Sequence, residues 1–363
     1  MTIALTRRTL LTATLAAGVA VPLSTGPAVA AVTKRLTLPR PTGPHRIGTV
    51  AQRLRGGNGR DVMASIWYPA ADDGRRYPRA PWMPAASYHA LFASVDLDAA
   101  EAPLTAGLLG APPLPAGEGR PVVVYSHGNN SCRAETTIVV QELASHGYVV
   151  ATVDHTGDGY SEFPGGQVTT PDDEEFNPWN SAYDVRALLD HLQRLRGPLG
   201  ATIDMRRVGM YGWSKGATST ALVMNEDRRV RAGIGFDGEM QSQPRPTTID
   251  RPFMIMSAEF PRSTEESVEE FWQNLRGWRL NIQARGAAHS SYIDTQWLIP
   301  QIAPLIGMTP EDYAAWCGTL DPGRGVRIQQ AYPLAFFDQH LRGRRQRLLE
   351  GPSRAFPEVT YLP

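Results

Sequence analysis

Short unbroken apolar runs alternate with amphipathic stretches along most of this chain. "PVVVYSHGNN" (121–130) and "YVVATVDH" (148–155) open on successive apolar positions, the pattern of strands covered on both faces. Between them "AETTIVVQELASHG" (134–147) has helical spacing and stops at Gly147. The alternation then repeats. "SAYDVRALLDHLQRL" (181–195) predicts an amphipathic helix, "RVGMYGW" (207–213) a strand and "GATSTALVMN" (216–225) a helix. "VRAGIGFDG", "RPFMIMSAE" and "WRLNIQARG" predict three more strands, with a helix over "TEESVEEFWQNL" between the last two. "PEDYAAWC" and "GVRIQQAYPLAFFDQHLRG" read as closing helices, and "DVMASIWYPA" (61–70) as an early strand. Strands alternating with helices imply a mostly parallel sheet with helices on both faces, the α/β class. The proline- and glycine-rich stretch 71–119 predicts a long excursion, lid-like or a pocket wall, with one short helix around "YHALFASVDLD". No internal repeat interrupts the pattern, so residues 31–363 read as one domain.

The first 30 residues do not fit it. Arg7 and Arg8, an apolar stretch and then Ala28-Val29-Ala30 have the layout of a cleavable export signal of the twin-arginine type. A membrane anchor needs about 18 or more apolar residues, and Pro22, Ser24, Thr25, Gly26 and Pro27 break the run. The expectation is a secreted protein with no stable membrane insertion after signal removal. In an oxidising compartment Cys132 and Cys317 could pair; the alternative is two buried thiols. Net charge is zero, which gives no reason to expect nucleic acid or an anionic membrane as partner. Cations are almost all arginine, with lysine only at Lys34 and Lys215.

Chemistry concentrates at "VGMYGWSKGAT" (208–218). Gly212-Trp213-Ser214-Lys215-Gly216 fits G-x-S-x-G, and the predicted strand before it and helix after it are the context in which that motif exposes a nucleophilic serine. Serine needs a base, which in this topology follows it in the chain. Only His289 and His340 do. His340 lies in an amphipathic terminal helix, whereas His289 sits in "ARGAAHSSY", a loop after a predicted strand, and is the candidate base. The residues alone leave two candidate acids, Asp237 and Glu259, each ending a strand. The oxyanion donors expected are the backbone N–H groups of Lys215, directly after the serine, and Asn129, in the loop after an earlier strand. The acidic loop "TPDDEEFNP" (170–178) has no metal-ligand spacing and reads as a solvated loop over the site; no cofactor and no metal are expected.

"PVVVYSHGNNSCRAETTIVVQELASHGYVVATVDHTGDG", "GMYGWSKGATS", "RAGIGFDGEM", "FMIMSAEF" and "ARGAAHSSYID" together resemble the platelet-activating-factor acetylhydrolase type II family and its bacterial lipase-like relatives. The resemblance runs in order over about residues 47–343 and is most specific at 121–159 and 206–294. It implies an α/β-hydrolase fold, a Ser214–Asp237–His289 triad and an oxyanion hole from the Asn129 and Lys215 amides. Two positions depart from the family pattern. Trp213 stands where the family has histidine, and Lys215 where it has an aromatic residue or methionine. The Lys215 side chain is either a cation near an acidic substrate group or a solvated residue at a helix start.

The reading is an exported hydrolase of small-molecule or lipid carboxylic esters acting through an acyl-enzyme. An acyltransferase or ester-forming cyclase would use the same machinery, and a non-catalytic binding protein the same fold. Substrate and oligomeric state are left open by the sequence.

Overall fold

A computed structural model describes residues 35–92, 101–172 and 177–363. The export segment lies outside these residues, as do the centre of the acidic loop and the end of "YHALFASVDLD". In chain order the strands are β1 (Ile47–Arg55), β2 (Asp61–Pro69), β3 (Arg79–Pro81), β4 (Leu104–Leu109), β5 (Arg120–Ser126), β6 (Val149–Val153), β7 (Ser161–Glu162), β8 (Val168–Thr169), β9 (Ile203–Trp213), β10 (Val230–Phe236), β11 (Phe253–Ser257), β12 (Arg279–Ala284) and β13 (Val359–Leu362). The α-helices are α1 (Ala85–Phe92), α2 (Thr137–Ser145), α3 (Pro178–Arg194), α4 (Gly197–Gly200), α5 (Lys215–Glu226), α6 (Glu266–Asn274), α7 (Thr295–Ile306), α8 (Pro310–Cys317) and α9 (Pro322–Arg342). One sheet has the order β13-β12-β11-β10-β9-β5-β6-β2-β1-β4-β3. Its centre, from β6 to β12, is parallel throughout.

Period-two alternation in the central strands feeds two cores. Val123 and Tyr125 face one side with Tyr211, Phe236, and the apolar stripes of α2 and α9 (Leu143, Tyr332, Phe336). Val122 and Val124 face the other side with Met210 and the stripes of α3, α5 and α6 (Val185, Leu188, Leu222, Phe271). Both faces are covered, which is why these strands read as continuous apolar runs. The helix ends also follow local chemistry. Asn177, Thr309 and Asp321 accept first-turn amides with proline directly after each, while Gly307 and Gly343 close their helices in the left-handed conformation.

Besides the short β7, β8 and α4, five elements were not predicted. β1 pairs antiparallel with β2 through the "GGNGR" hairpin, but its charged outer positions disguise the alternation. β3 and β4 turn part of the 71–119 excursion into sheet edge, and β13 adds to β12 at the other edge. Edge pairing is decided by tertiary partners more than by local pattern. α7 forms despite Pro300 and Pro304, residues that argue against a helix from sequence. Cys132 and Cys317 are both buried free thiols, so no disulfide joins them here.

Asp294, fully buried, precedes α7 and ties it to α2. Its carboxylate accepts the Thr137 and Ile138 amides at 2.9 Å each and the Trp82 indole N–H at 2.8 Å. Asp294→Ala should strand these donors and lower unfolding free energy by about 3 kcal/mol. A shifted urea midpoint at unchanged m-value is the expected readout; a midpoint within error of the parent would show that water or neighbouring groups replace the carboxylate.

Candidate active site

β9 ends at Trp213, α5 begins at Lys215, and Ser214 between them has φ 54° and ψ −121°. A non-glycine residue at such a backbone position is strained and persists only when its surroundings over-determine it. They do so here through glycine contacts. A Cβ on Gly216 would lie 2.1 Å from the Ser126 carbonyl oxygen, one on Gly212 2.1 Å from that of Gly216, and one on Gly238 2.2 Å from that of Ser214. Helix and strands therefore pass too closely for any side chain at these three positions. The Ser214 amide also donates to the Phe236 carbonyl at 2.9 Å, fixing the turn to the end of β10. The strand–serine–helix turn predicted from the motif is present.

The next residue after β10 is Asp237, buried and itself at φ 40°. Its carboxylate accepts the amides of Ala258 (2.5 Å), Glu259 (3.1 Å) and Phe260 (3.0 Å), and His289 Nδ1 at 2.7 Å. A carboxylate that accepts from Nδ1 places the ring proton there and leaves Nε2 as the basic nitrogen. Glu259 does something different: its Oε1 accepts the backbone amide of His289 at 3.1 Å. Of the two acids left open by the residues, Asp237 contacts the imidazole and Glu259 holds the loop. His340, by contrast, is packed against Trp278 and Phe336, and burial pushes it down to about 4.

The sequence model of the family described as platelet-activating factor acetylhydrolase, isoform II, matches residues 30–162 and 172–347. The chain belongs to this family. A probable 1-alkyl-2-acetylglycerophosphocholine esterase from Arthroderma benhamiae is 29% identical over 264 residues, 67% of this chain and 66% of the relative. A platelet-activating factor acetylhydrolase from Cavia porcellus is 24% identical over 332 residues, 77% and 74% of the two chains. Among solved structures, a ferulic acid esterase from Streptomyces cinnamoneus superposes with TM-score 0.76 at 32% identity, covering 91% of this chain and all of that one. All three are named as carboxylic ester hydrolases, and the fold is that of the α/β-hydrolases.

The first departure from the family pattern now has a structural setting. Trp213 stacks on the His289 ring at 4.6 Å, and its indole N–H donates to the His289 carbonyl at 2.8 Å. Phe260 meets the same ring edge-on at 5.1 Å. The imidazole thus has two aromatic rings against it.

The second departure contradicts one of the two expectations for it. Lys215 is 3% exposed, so it is not a solvated helix-start residue. Its ammonium pairs with Asp158 and lies 3.5 Å from Asn129 Oδ1. Burial, with help from the Arg60 charge and against the pull of Glu135, brings it down to about 7.

Beneath the loop that carries Asn129 lies a buried polar layer that the sequence reading did not find. Ser126 Oγ is 2.9 Å from His155 Nε2, and His155 Nδ1 is 3.1 Å from Asp184 Oδ2, which also takes Arg60 at 3.0 Å. His127 Nε2 accepts the His155 amide and its Nδ1 donates to the Gly128 carbonyl. Burial pushes both imidazoles well down, so they serve as neutral hydrogen-bonding groups. Glu135, pushed up to about 8 by burial, accepts the Gly128 amide at 3.0 Å and takes Tyr125 and Ser131 hydroxyls. The Gly128 amide is thereby committed, and Asn129 follows it in the loop. Histidines within two residues of the ends of two parallel strands, in "YSH" and "VDH", were the available signal.

Trp213→Phe keeps a ring on the imidazole but deletes the bond to the His289 carbonyl. A loss of roughly tenfold in kcat with little change in thermal midpoint is expected, since small misplacements of catalytic groups cost about that much or more. Unchanged turnover on a soluble ester would restrict Trp213 to packing.

Proposed function

We propose that this protein hydrolyses carboxylic esters with Ser214 as nucleophile, His289 as general base and acid, and Asp237 as the residue that orients the imidazole. The observation that carries the reading is the Asp237–His289 contact at 2.7 Å on a carboxylate steadied by three backbone amides, next to a serine held in a strained turn. In the first half-reaction Ser214 Oγ attacks the ester carbonyl while His289 Nε2 takes its proton, and collapse expels the alcohol with that proton. In the second, His289 draws a proton from water, whose oxygen bonds to the acyl carbon; the Ser214 Oγ–acyl bond then breaks, the acid leaves, and His289 returns the proton to Oγ. The Asn129 and Lys215 amides are the proposed donors to the tetrahedral oxyanion, the latter at the start of α5 where first-turn amides have no partner within the helix.

The Trp213 and Phe260 walls suit an apolar or aromatic ester group beside the imidazole. Relatives named for acetyl and ferulic acid esters bracket a small and an aromatic acyl group. A series of p-nitrophenyl esters from acetyl to decanoyl, with a feruloyl ester beside it, measures where this chain falls. Export is part of the proposal, supported by Arg7, Arg8 and Ala28-Val29-Ala30. No helix among the described residues is long and apolar enough to cross a membrane.

Ser214→Ala should abolish turnover by about 10⁴-fold or more with the fold retained, as expected for loss of a nucleophile. Near-parent activity in the purified variant would overturn the reading. The acid is tested separately. Asp237→Asn should cost about 10⁴ in kcat, whereas Glu259→Gln, which changes only a loop contact, should cost far less. The reverse ranking would move the acid to Glu259.

A further inference from the structure

We infer that the Lys215–Asp158 ion pair is a positioning device that clamps the Asn129 loop against the nucleophile turn. This rests on the ester-hydrolase reading of the site and assigns a role to a side chain adjacent to the serine.

The clamp joins three segments. Lys215 opens α5, Asp158 belongs to the loop after β6, and Asn129 belongs to the loop after β5. Lys215 Nζ reaches Asp158 and lies 3.5 Å from Asn129 Oδ1. Asp158 Oδ2 is buried and takes no hydrogen bond elsewhere among the described residues, so the ammonium is its compensating partner. The two loops also touch directly: Ser131 and Gly159 form an isolated bridge, and the Tyr160 amide donates to the Ser131 carbonyl at 2.9 Å. A Cβ on Gly128 would lie 2.4 Å from the Trp213 ring and 3.2 Å from Ser214 Cβ. The loop therefore passes directly over the serine, and small displacements of it move the Asn129 amide relative to the reacting carbonyl.

Stability alone gives little reason for such a pair. Withdrawing two charges from water costs about as much as their attraction returns, and an apolar pair of similar size often does as well or better. What a charge pair adds is direction, because it fixes where its two loops meet. The ammonium is also engaged within the protein, which argues against its use as a receptor for acidic substrates.

Two variants test the clamp. Asp158→Asn removes the carboxylate and leaves the buried Lys215 amine without its counter-charge, so part of its effect falls on stability. The near-isosteric Lys215→Gln/Asp158→Asn double variant removes both charges and keeps a hydrogen-bonding pair. The double variant should retain a thermal midpoint near the parent, and both should lose about 10- to 100-fold in kcat on p-nitrophenyl acetate, with KM changed by less than about threefold. The double variant should be no worse than the single, because the pair acts as a unit. Parent-like kcat in either folded variant would reduce the pair to packing. A fall in kcat matched by a fall in thermal midpoint in both would assign it a purely structural role. Ser214→Ala is assayed alongside: if it stays active, the ester-hydrolase reading fails; if it is dead while both pair variants keep full kcat, only the clamp fails.

Discussion

Three backbone approaches at the end of β9 govern the rest of the molecule. Gly216 lies against the end of β5, Gly212 against the first turn of α5, and Gly238 against the Ser214 turn itself. Because no Cβ fits at these points, the central strands and α5 converge on one spot. Ser214 is held there at φ 54°. The strain of that conformation, of order 1–3 kcal/mol, is borne by two large cores packed on both faces of the sheet. Asp237 and the loop of His289 come to the same spot without separate machinery. Asp237 is one residue past a neighbouring parallel strand, and His289 follows β12 two strands further out. Ligand sites in open parallel sheets lie beyond the carboxyl ends of the strands for this reason.

How much of this is legible in the chain depends on whether a feature is local. The central strands and their covering helices show as apolar runs and stripes, and the turn at Ser214 shows as glycine spacing. His289 could be picked by chain order and by its setting among small residues after a strand. The edge strands were hidden because β1 and β4 exist through pairing with each other and with β2 and β3, and nothing in 71–119 signals a partner. α7 was hidden for a different reason, since its prolines outweigh an apolar pattern that gains stability only when packed beside α1 and Trp82. The choice between Asp237 and Glu259 lay beyond pattern altogether. Both end strands, and only the three amides converging on Asp237 separate the partner of the imidazole from the residue that pins its loop.

The buried polar layer under the Asn129 loop was the largest omission. Ser126, His155, Asp184 and Arg60 come from four segments, and His127 and Glu135 join them from two more positions in the chain. The set Ser126–His155–Asp184 contains the residue types of a nucleophilic triad but has no exposure, so no substrate reaches it. Residue type therefore cannot distinguish it from a catalytic set; access does. Its place beneath Gly128 makes it a foundation for the loop, with neutral imidazoles used as two-ended connectors whose low basicity keeps uncompensated charge out of the interior.

The two residues that flank Ser214 reach different sides of the site. Trp213 is the last residue of β9 and faces the histidine loop, which it grips by ring contact and by one hydrogen bond. Lys215 is the first residue of α5 and faces the loops after β5 and β6. Each residue beside Ser214 thus reaches a different wall of the site. The backbone of the turn cannot adjust, because its glycines are already in contact with neighbouring main chain. The two walls are therefore held by the two side chains beside the serine, one aromatic and packed on His289, the other paired with Asp158. Lys215 and Asp158 therefore act as one unit across the site, the ammonium supplying the counter-charge to a buried carboxylate oxygen.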